Sequence, residues 1–214
     1  MERKIFRLSL SIFLMTVLFA CANDDEKSAD QGVIKILYLT SLKFRGNLGG
    51  IVGADHKCNN DPQKPPGNYK AFLVDGTTRR ACSTPFCSGA NESVDWVLKA
   101  NTTYRNKEGT IVGKTDTNKP IFTQALQNPV KNCVILPLEE CRFWSGLKDD
   151  WTTDTARLCP QGGQAWHNGS GGADGTNGNA ALGTALYQQG IGPFISESHH
   201  GCGAVDFPLL CAEQ

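Results

Sequence analysis

The last sixteen residues of the chain, HHGCGAVDFPLLCAEQ, bring two histidines and two cysteines close together, at His199, His200, Cys202 and Cys211. Imidazole nitrogens and thiolates are the ligands that zinc prefers, and imidazole is also the commonest general acid or base. Two cysteines of an exported chain can instead form disulfides. The stretch therefore allows three interpretations: a metal site, a catalytic site, or a clamp that fastens the C-terminal segment to the fold.

Catalysis has few candidate residues elsewhere. His56 and His167 are the other two histidines, and the sequence contains neither a G-x-S-x-G nucleophile elbow nor an H-E-x-x-H zinc motif. Every cysteine of the expected domain has a plausible partner, so no free thiol is expected as a nucleophile. We predict no catalytic residue, no cofactor and no enzymatic activity. We expect His199 and His200 to cap a loop or to lie beside the Cys202 bridge, with metal binding as the alternative.

Eight cysteines remain when Cys21 is set aside, an even number that is typical of an exported, disulfide-stabilised domain. None belongs to a C-x2-C pair, and their closest spacings are too loose for a zinc knuckle. We therefore expect four disulfides and no metal, with structural zinc as the alternative. The eight are Cys58, Cys82, Cys87, Cys133, Cys141, Cys159, Cys202 and Cys211.

A glycine-rich stretch offers a second kind of metal site. Asp174, Asn177 and Asn179 lie in GGADGTNGN, where closely spaced oxygen donors could surround calcium. One carboxylate is too few, and glycine and asparagine more commonly supply left-handed turn conformations. We interpret the stretch as turns, and calcium is the alternative.

The N-terminal residues 1–20 are organised as a signal peptide. Three basic residues within the first seven precede an apolar run, Leu8–Ala20, that is too short to span a bilayer. The following LFAC resembles the lipobox of bacterial lipoproteins, so Cys21 is the expected lipidation site, with an ordinary signal peptide as the alternative. Residues 21–32 are then a polar, acidic and flexible tether to the membrane.

Residues 33–214 are expected to form one α+β domain, because a chain of this length with 40% hydrophobic residues can bury a single core. Loss of the signal peptide changes the formal charge from zero to minus two, which argues against nucleic-acid binding. Runs of β-branched and large apolar residues predict several short strands. These strands are Val33–Leu42, Tyr69–Val74, Arg142–Leu147 and a terminal strand in VDFPLLCAE, which Pro208 restricts to an edge or bulge position.

The segments between these strands are predicted to be short or irregular. A brief helix over Ala54–Asn59 cannot extend past Pro62. Residues 93–98 and 111–112 are short apolar pieces around Trp96, and residues 101–110 have turn chemistry. Residues 120–127 fit a short helix or strand. Residues 159–192 show neither helical nor strand periodicity, which indicates a long, irregular loop.

Several segments, in the right order, resemble endostatin, the C-terminal domain of certain collagens, whose fold is related to C-type lectins. They are VIKILYLTSL, GGIVGADHKC, GNYKAFLVD, FWSGL, LCPQGGQAW and SHHGCGAVDFPLLCAE. DWVLKANTTY and FWSGL are also similar to signatures of the endostatin-like surface lipoproteins of Leptospira. The resemblance implies a C-type lectin-like domain with mainly antiparallel short strands, long loops and disulfide staples.

The resemblance also implies a disulfide pairing. In these folds the cysteine of the first helix pairs with the last cysteine, and a second bridge nests inside the first. The pairs carried over to this chain are Cys58–Cys211 and Cys159–Cys202, which leaves Cys82–Cys87 and Cys133–Cys141 as local pairs. This pairing favours the clamp as the role of the C-terminal stretch.

Departures from the resembling families limit the ligands that can be carried over. Endostatin's zinc histidines have no counterpart in residues 22–42, where Lys35 takes the place of the strand histidine. The E-P-N, Q-P-D and W-N-D calcium motifs of C-type lectins are absent. Arg79-Arg80 is the only adjacent arginine pair, so heparin binding through an arginine-rich face is not expected.

The resemblance implies a lipoprotein of the outer membrane, exposed at the cell surface, that acts as an adhesin and in evasion of complement. The implied partners are complement factor H and its relatives, laminin, fibronectin and plasminogen. The alternative is an envelope lipoprotein with a structural or carbohydrate-binding role and no host ligand. The ligand-binding residues stay unassigned, although the stretch Gly162–Gly192 contains Trp166 and Tyr187, which could anchor an interface or belong to the core.

Overall fold

The computed structural model describes residues 32–89, 91–131, 142–171, 173–179 and 195–214. Within these ranges lie eight strands, one α-helix and a 3₁₀ turn at Pro85–Cys87. The regular elements are β1 (Ile34–Leu39), α1 (Gly50–Asn59), β2 (Tyr69–Ala71), β3 (Thr103–Asn106), β4 (Ile111–Lys114), β5 (Arg142–Trp144), β6 (Asp174–Asn179), β7 (Ile195–Gly201) and β8 (Leu210–Glu213). The predicted α+β composition is confirmed. No helix among the described residues is long and apolar enough to cross a membrane.

The strands form two sheets. Five strands lie side by side in the order β2-β8-β1-β3-β4, and β5, β6 and β7 form a three-stranded sheet. β1 and β3 run parallel, with Ile34 opposite Thr103, whereas the other pairs of named strands are antiparallel. The pairing among the described strands is therefore mainly antiparallel.

Both faces of the five-stranded sheet are buried. Successive side chains of a strand point to opposite faces, and β1 accordingly places Leu37 in one apolar cluster and Tyr38 in the other. β8 does the same with Ala212 and Cys211. Helix α1 covers the Tyr38 face. Because both faces are covered, residues 36–39 and 210–212 are continuous apolar runs rather than alternating ones.

Helix α1 packs one face on the sheet and ends before the prolines. Ile51, Ala54 and Cys58 are buried, at the three- and four-residue spacing of a single helical face. The helix begins after Gly49, which has a left-handed φ of 82°. The predicted helix therefore has the correct C-terminal end at Asn59 but starts four residues earlier, at Gly50.

The segment 101–110 is not all turn, contrary to prediction. Thr103–Asn106 forms β3, which pairs with both β1 and β4. Tyr104 lies fully buried at its centre, and Gly109 turns the hairpin with a φ of 89°. A four-residue strand with one buried side chain is too short to show a period of two, so turn residues dominate its sequence pattern.

Residues 93–98 are a short apolar piece, as predicted, whereas the prediction of a helix or strand over residues 120–127 is wrong. Residues 93–98 form no named strand, and a single bridge joins Val94 to Arg80. Residues 120–127 form neither helix nor strand, although Ile121 and Phe122 are fully buried. In both segments the apolar side chains pack in the core, although the backbone that carries them is loop rather than helix or strand.

The terminal strand is central in its sheet rather than at an edge or bulge. β8 lies between β2 and β1 and pairs with both along Leu210–Glu213. Pro208 does not restrict this ladder because the strand begins two residues after it. The missing N–H of proline falls outside the paired segment.

The glycine-rich stretch contains a strand, which corrects the prediction of an irregular loop over residues 159–192. Asp174–Asn179 forms β6, the middle strand of the three-stranded sheet. Gly175 has no Cβ, and a Cβ there would lie 2.7 Å from both the Trp144 ring and the Cys159 sulfur. Glycine is required at this position for close packing, although glycine is normally depleted in strands.

Four residues of the sequence predictions lie outside the described part of the chain: Cys21, Cys133, Cys141 and Tyr187. The same holds for the signal peptide and nearly all of the tether. The lipid attachment, the domain boundaries and the fourth disulfide therefore stay predictions.

Candidate functional site

Disulfides fix the loops that surround the candidate site. Cys58–Cys211 joins α1 to β8 with a Cα–Cα distance of 5.8 Å, and Cys159–Cys202 joins two loops at 5.6 Å. Cys82–Cys87 closes a local loop at 4.8 Å. These bonds are three of the four pairs that the resemblance implies. The C-terminal stretch is thus fastened through both of its cysteines, as a clamp would be.

The two neighbouring histidines lie on β7, so they do not cap a loop. His199 is exposed, whereas the half-buried His200 accepts a hydrogen bond at Nε2 from Nη1 of Arg142 at 2.8 Å. The His200 ring also packs edge-on against Phe207, with ring centroids 5.1 Å apart. In the described residues, no group of three or more His, Cys, Asp or Glu side chains is placed to hold a metal ion.

An open groove with a volume of about 580 Å³ lies between the N-terminal end of α1, the turn at 75–79 and the loop at 155–167. This volume is in the range of sites that accept a small ligand or part of a larger one. Its apolar lining includes Ile51, Val52, Leu158 and Pro160. Its polar lining consists of Asp75, Thr77, Thr78, Thr155, Gln164 and His167.

The turn at 75–79 forms a rigid wall of the groove. Oδ1 of Asp75 accepts hydrogen bonds from the N–H groups of Thr77, Thr78 and Arg79 at 2.8–2.9 Å, and Oδ2 accepts one from the Thr78 hydroxyl. Burial alone raises the pKa of Asp75, but these hydrogen bonds outweigh it and lower the pKa below its ordinary value. The carboxylate is therefore committed to holding the turn.

A buried guanidinium ties this turn to α1. The Arg79 side chain is 1% exposed and makes a bidentate contact with Asp55 of α1, with N–O distances of 2.8 and 2.7 Å. It also donates to Asp95 at 2.7 Å and to the Ala71 carbonyl at 3.0 Å. Such fork-to-fork pairs fix geometry as well as charge. Arg79 thus positions two of the three groove walls relative to each other.

A tight hairpin forms the third wall. Gln161 and Gln164 exchange backbone hydrogen bonds at 3.0 Å, and both residues between them, Gly162 and Gly163, have left-handed φ angles. Two-residue hairpins of this kind favour glycine because both central residues need a positive φ. The GG dipeptide in PQGGQAW is the sequence signal for this turn.

The base of the hairpin is anchored by Cys159. Its carbonyl accepts hydrogen bonds from the N–H groups of His167 and Asn168 at 3.1 and 3.0 Å. Its sulfur lies so close to Gly46 and Gly175 that a Cβ at either position would collide with it. Three chain segments therefore converge on the Cys159–Cys202 bridge, which keeps the groove loop in place.

His167 offers the groove a defined acceptor. Its Nδ1 lies 2.7 Å from the Ala165 carbonyl, and because a carbonyl oxygen can only accept, Nδ1 carries the proton. In the neutral ring Nε2 is then an acceptor. The ring packs beside Gly50, whose missing Cβ leaves the room it occupies, since a Cβ there would lie 3.0 Å from Cε1.

The groove is suited to binding by neutral polar groups. Asp75 is the charged residue among its lining side chains, and its oxygens are already engaged. The hydroxyls of Thr77 and Thr155, the Gln164 amide and the His167 imidazole can donate or accept hydrogen bonds. Val52, which is 82% exposed on α1, adds an apolar contact at the rim.

Trp166 belongs to the core and not to a binding surface. It is fully buried, packs against Trp144 with ring centroids 6.0 Å apart, and donates from Nε1 to the Val74 carbonyl at 2.7 Å. The option that it anchors an interface is therefore wrong. By holding Val74 it supports the start of the 75–79 turn instead.

The calcium candidates lie on a strand. Asp174 begins β6, and Asn177 and Asn179 pair in the ladder with Trp144 and Arg142. Their backbone is extended, whereas the calcium loops of proteins wrap round the ion.

Sequence reasoning did not find the groove because its walls come from segments about 25 and 80 residues apart. The GG hairpin and the Asp75-Gly76 turn were the available signals.

Comparison with known proteins gives one family. A family model described as "Protein of unknown function (DUF1554)" matches residues 41–182, a span that contains all three walls of the groove. No curated protein matches the chain.

Proposed function

Because the chain belongs to the DUF1554 family, whose description assigns no activity, we propose a function from the groove itself: a ligand-binding module without catalytic activity. The observation that carries this proposal is that contacts within the chain hold each wall of the groove. The Asp75 turn, the Arg79–Asp55 contact and the Cys159–Cys202 bridge each hold one wall. A preorganised site spends less free energy on ordering when it binds.

The proposed fold relationship is to endostatin and C-type lectin-like domains, and within these to the endostatin-like lipoproteins of Leptospira. Two features support it. The helix cysteine pairs with the last cysteine, Cys58 with Cys211, and the Cys159–Cys202 bridge nests within that loop. β1 and β8, far apart in sequence, are neighbours in one sheet.

The proposed ligands are host proteins met at the bacterial surface: complement factor H and its relatives, laminin, fibronectin and plasminogen. An outer-membrane lipoprotein anchored through Cys21 would present the groove to them. Binding loops held by a rigid scaffold are the usual arrangement for such recognition. The apolar rim at Val52 and the neutral polar lining supply the contacts of a protein interface.

A charge introduced at the rim tests whether the groove is the binding site. The oxidised chain is immobilised, and capture of purified factor H, laminin, fibronectin and plasminogen is measured for wild type, Val52→Glu and Leu42→Glu. Both positions are exposed apolar residues, at 82% and 49%, but only Val52 lines the groove. We expect Val52→Glu to weaken capture about tenfold or more, because an unpaired carboxylate in a desolvated contact is unfavourable.

Leu42→Glu should capture like the wild type. Equal losses in the two variants would remove the groove from the proposal, and wild-type capture of none of the four proteins would contradict host-protein binding altogether. Capture that survives reduction and alkylation would indicate adhesion by unfolded chain rather than recognition.

Lipid attachment is tested separately. Labelling of growing cells with a fatty-acid precursor should mark the wild type but not Cys21→Ser. Protease treatment of intact cells then reports whether the protein faces the medium, because a lipoprotein that faces the periplasm cannot meet serum proteins. Equal labelling of both chains would contradict anchoring at Cys21.

A second candidate function is carbohydrate binding, within an envelope role that needs no host protein. The specific observation in its favour is the lining of threonine hydroxyls, the Gln164 amide and the Nε2 acceptor of His167. A glycan array probed with wild type and Gln164→Ala distinguishes the two candidate functions. Gln127→Ala is the control, because Gln127 is an exposed residue outside the groove. A sugar that the wild type and Gln127→Ala bind but Gln164→Ala does not would support this candidate.

A further inference from the structure

Three lysines gather at the end of the five-stranded sheet where β1 begins. Lys35 on β1 lies opposite Tyr104 of β3, and the Tyr104 hydroxyl accepts a hydrogen bond from the Lys99 backbone N–H at 2.9 Å. Lys70 on β2 lies opposite Ala212, which in turn lies opposite Leu37, two residues along β1 from Lys35. Paired residues share a sheet face, so Lys35 and Lys70 point to the same side.

The charges of this lysine cluster are incompletely neutralised. Lys70 and the buried Arg79 both contact Asp95, and Arg79 also contacts Asp55, so these two carboxylates balance only Lys70 and Arg79. Neither Lys35 nor Lys99 makes a salt bridge within the described part of the chain. Partial burial lowers the pKa of Lys99, and the ammonium groups of Lys70 and Lys35 lower it further. The cluster therefore carries excess positive charge on a molecule with a net charge of minus two after loss of the signal peptide.

An exposed apolar residue adjoins the cluster. Val33, two residues before Lys35, is 59% exposed, and its neighbour Ile34 is 46% exposed. Basic side chains next to exposed aliphatic ones are the combination found at the interfaces of proteins that lie on anionic membranes. Neither Val33 nor any of the three lysines lines the ligand-binding groove.

We propose that the Lys35, Lys70 and Lys99 cluster, with Val33, docks on the phosphate headgroups of an anionic lipid surface. Position argues for lipid over other polyanions. The described domain begins at Gly32, eleven residues after Cys21, and even fully extended these residues span at most about 40 Å. This reasoning rests on the proposed anchor, which would hold the Val33 end of β1 close to headgroups and leave the groove free for its ligand.

The test uses the chain from residue 21 with Ser in place of Cys21, so that no acyl chain contributes. Co-sedimentation is measured with phosphatidylcholine vesicles with and without phosphatidylglycerol, at low and high salt. Lys35→Gln/Lys99→Gln removes two charges while leaving the Lys70–Asp95 pair intact. Lys43→Gln/Lys148→Gln removes the same charge from exposed lysines elsewhere and serves as the matched control.

Wild type should bind vesicles that contain phosphatidylglycerol, and binding should fall with salt. Lys35→Gln/Lys99→Gln should bind about 10- to 30-fold more weakly, and the control should bind like the wild type. No binding by the wild type, or equal losses in both variants, would overturn the proposal. So would lysine-dependent capture by heparin without binding to vesicles, because the surface would then recognise a polysaccharide. Because the tested chain carries no acyl group, the outcome is independent of whether Cys21 is acylated.

Discussion

A single carboxylate organises the loop closed by Cys82 and Cys87. Glu92 is 8% exposed and accepts from the backbone N–H groups of Ser83, Thr84 and Gly89 and from the hydroxyls of both Ser83 and Thr84. The hydrogen bond from the Thr84 hydroxyl is the largest influence, and together these bonds lower the pKa of Glu92 to about 2 despite burial. The ionised form of Glu92 is therefore the form that stabilises the fold.

Glu92 predicts a loss of stability in acid. Its folded pKa of about 2 lies below the ordinary 4.5, so its contribution is present above pH 4.5 and disappears as the pH falls towards 2. Glu92→Gln should lower the urea midpoint of unfolding at pH 6 but leave it near the wild-type value at pH 2. Glu108→Gln, at an exposed position, should match the wild type at every pH. A Glu92→Gln deficit that does not change with pH would contradict this origin.

Replacement of Arg79 should lower the free energy of unfolding more than replacement of Glu92. Arg79→Met leaves Asp55 and Asp95 without their shared cation, and breaking a buried ion pair costs about 3–5 kcal/mol. Asp95 is 41% exposed and stays partly hydrated, so we expect a loss at the lower end, about 3 kcal/mol, in urea unfolding. Arg45→Met breaks the exposed contact with Asp206 and should cost less than about 1 kcal/mol. Comparable losses in the two variants would contradict the role given to Arg79.

Among the secondary-structure elements, β6 depends most directly on a missing side chain. Gly175→Ala places a methyl group 2.7 Å from the Trp144 ring and the Cys159 sulfur, so β6 must shift at a cost of about 1–3 kcal/mol. Gly171→Ala meets no atom within 4 Å and should be close to neutral. Thermal unfolding followed by tryptophan fluorescence compares the two. Equal stability would show that the sheet absorbs the methyl group.

β6 also shows where sequence patterns succeed and fail for this chain. β1 and β2 were predictable because burial on both faces favours apolar residues at successive positions, with Lys35 and Lys70 as half-buried exceptions. β6 was not predictable, because Gly175 is required there by close packing against Trp144, some thirty residues away along the chain. The three described disulfides followed from the resemblance rather than from spacing alone.

The groove was unpredictable for the same reason. Arg79 reads as one half of a surface arginine pair, and its burial depends on Asp55 and Asp95, which lie 24 and 16 residues away. A local pattern carries no information on which carboxylates will surround a cation in the folded chain. The turn at Asp75 and the Gly162-Gly163 hairpin were local features, but their meeting across the groove is a property of the whole fold.

For the molecule as a whole, the long-range disulfide should dominate stability. Cys58 and Cys211 are 153 residues apart, and closure of a loop of this length is worth about 5 kcal/mol in the chain-entropy model, against about 2 kcal/mol for the five-residue separation of Cys82 and Cys87. Replacing each pair by alanine should therefore lower the free energy of unfolding much more for the first pair. Peptide mapping without reduction checks the pairing, and Cys211 joined to another cysteine would contradict it.

The central position of β8 has a consequence for the order of folding. β1 and β2 each pair with β8, so neither has its full set of partner strands until residues 210–213 have been made. Pairing strands so distant in sequence is slow because loop closure must precede the favourable contacts. Emerging chains would therefore spend this interval with β1 and β2 unpaired on one edge. Such edges are aggregation-prone, so we expect the chain to need protection from aggregation until β8 has inserted.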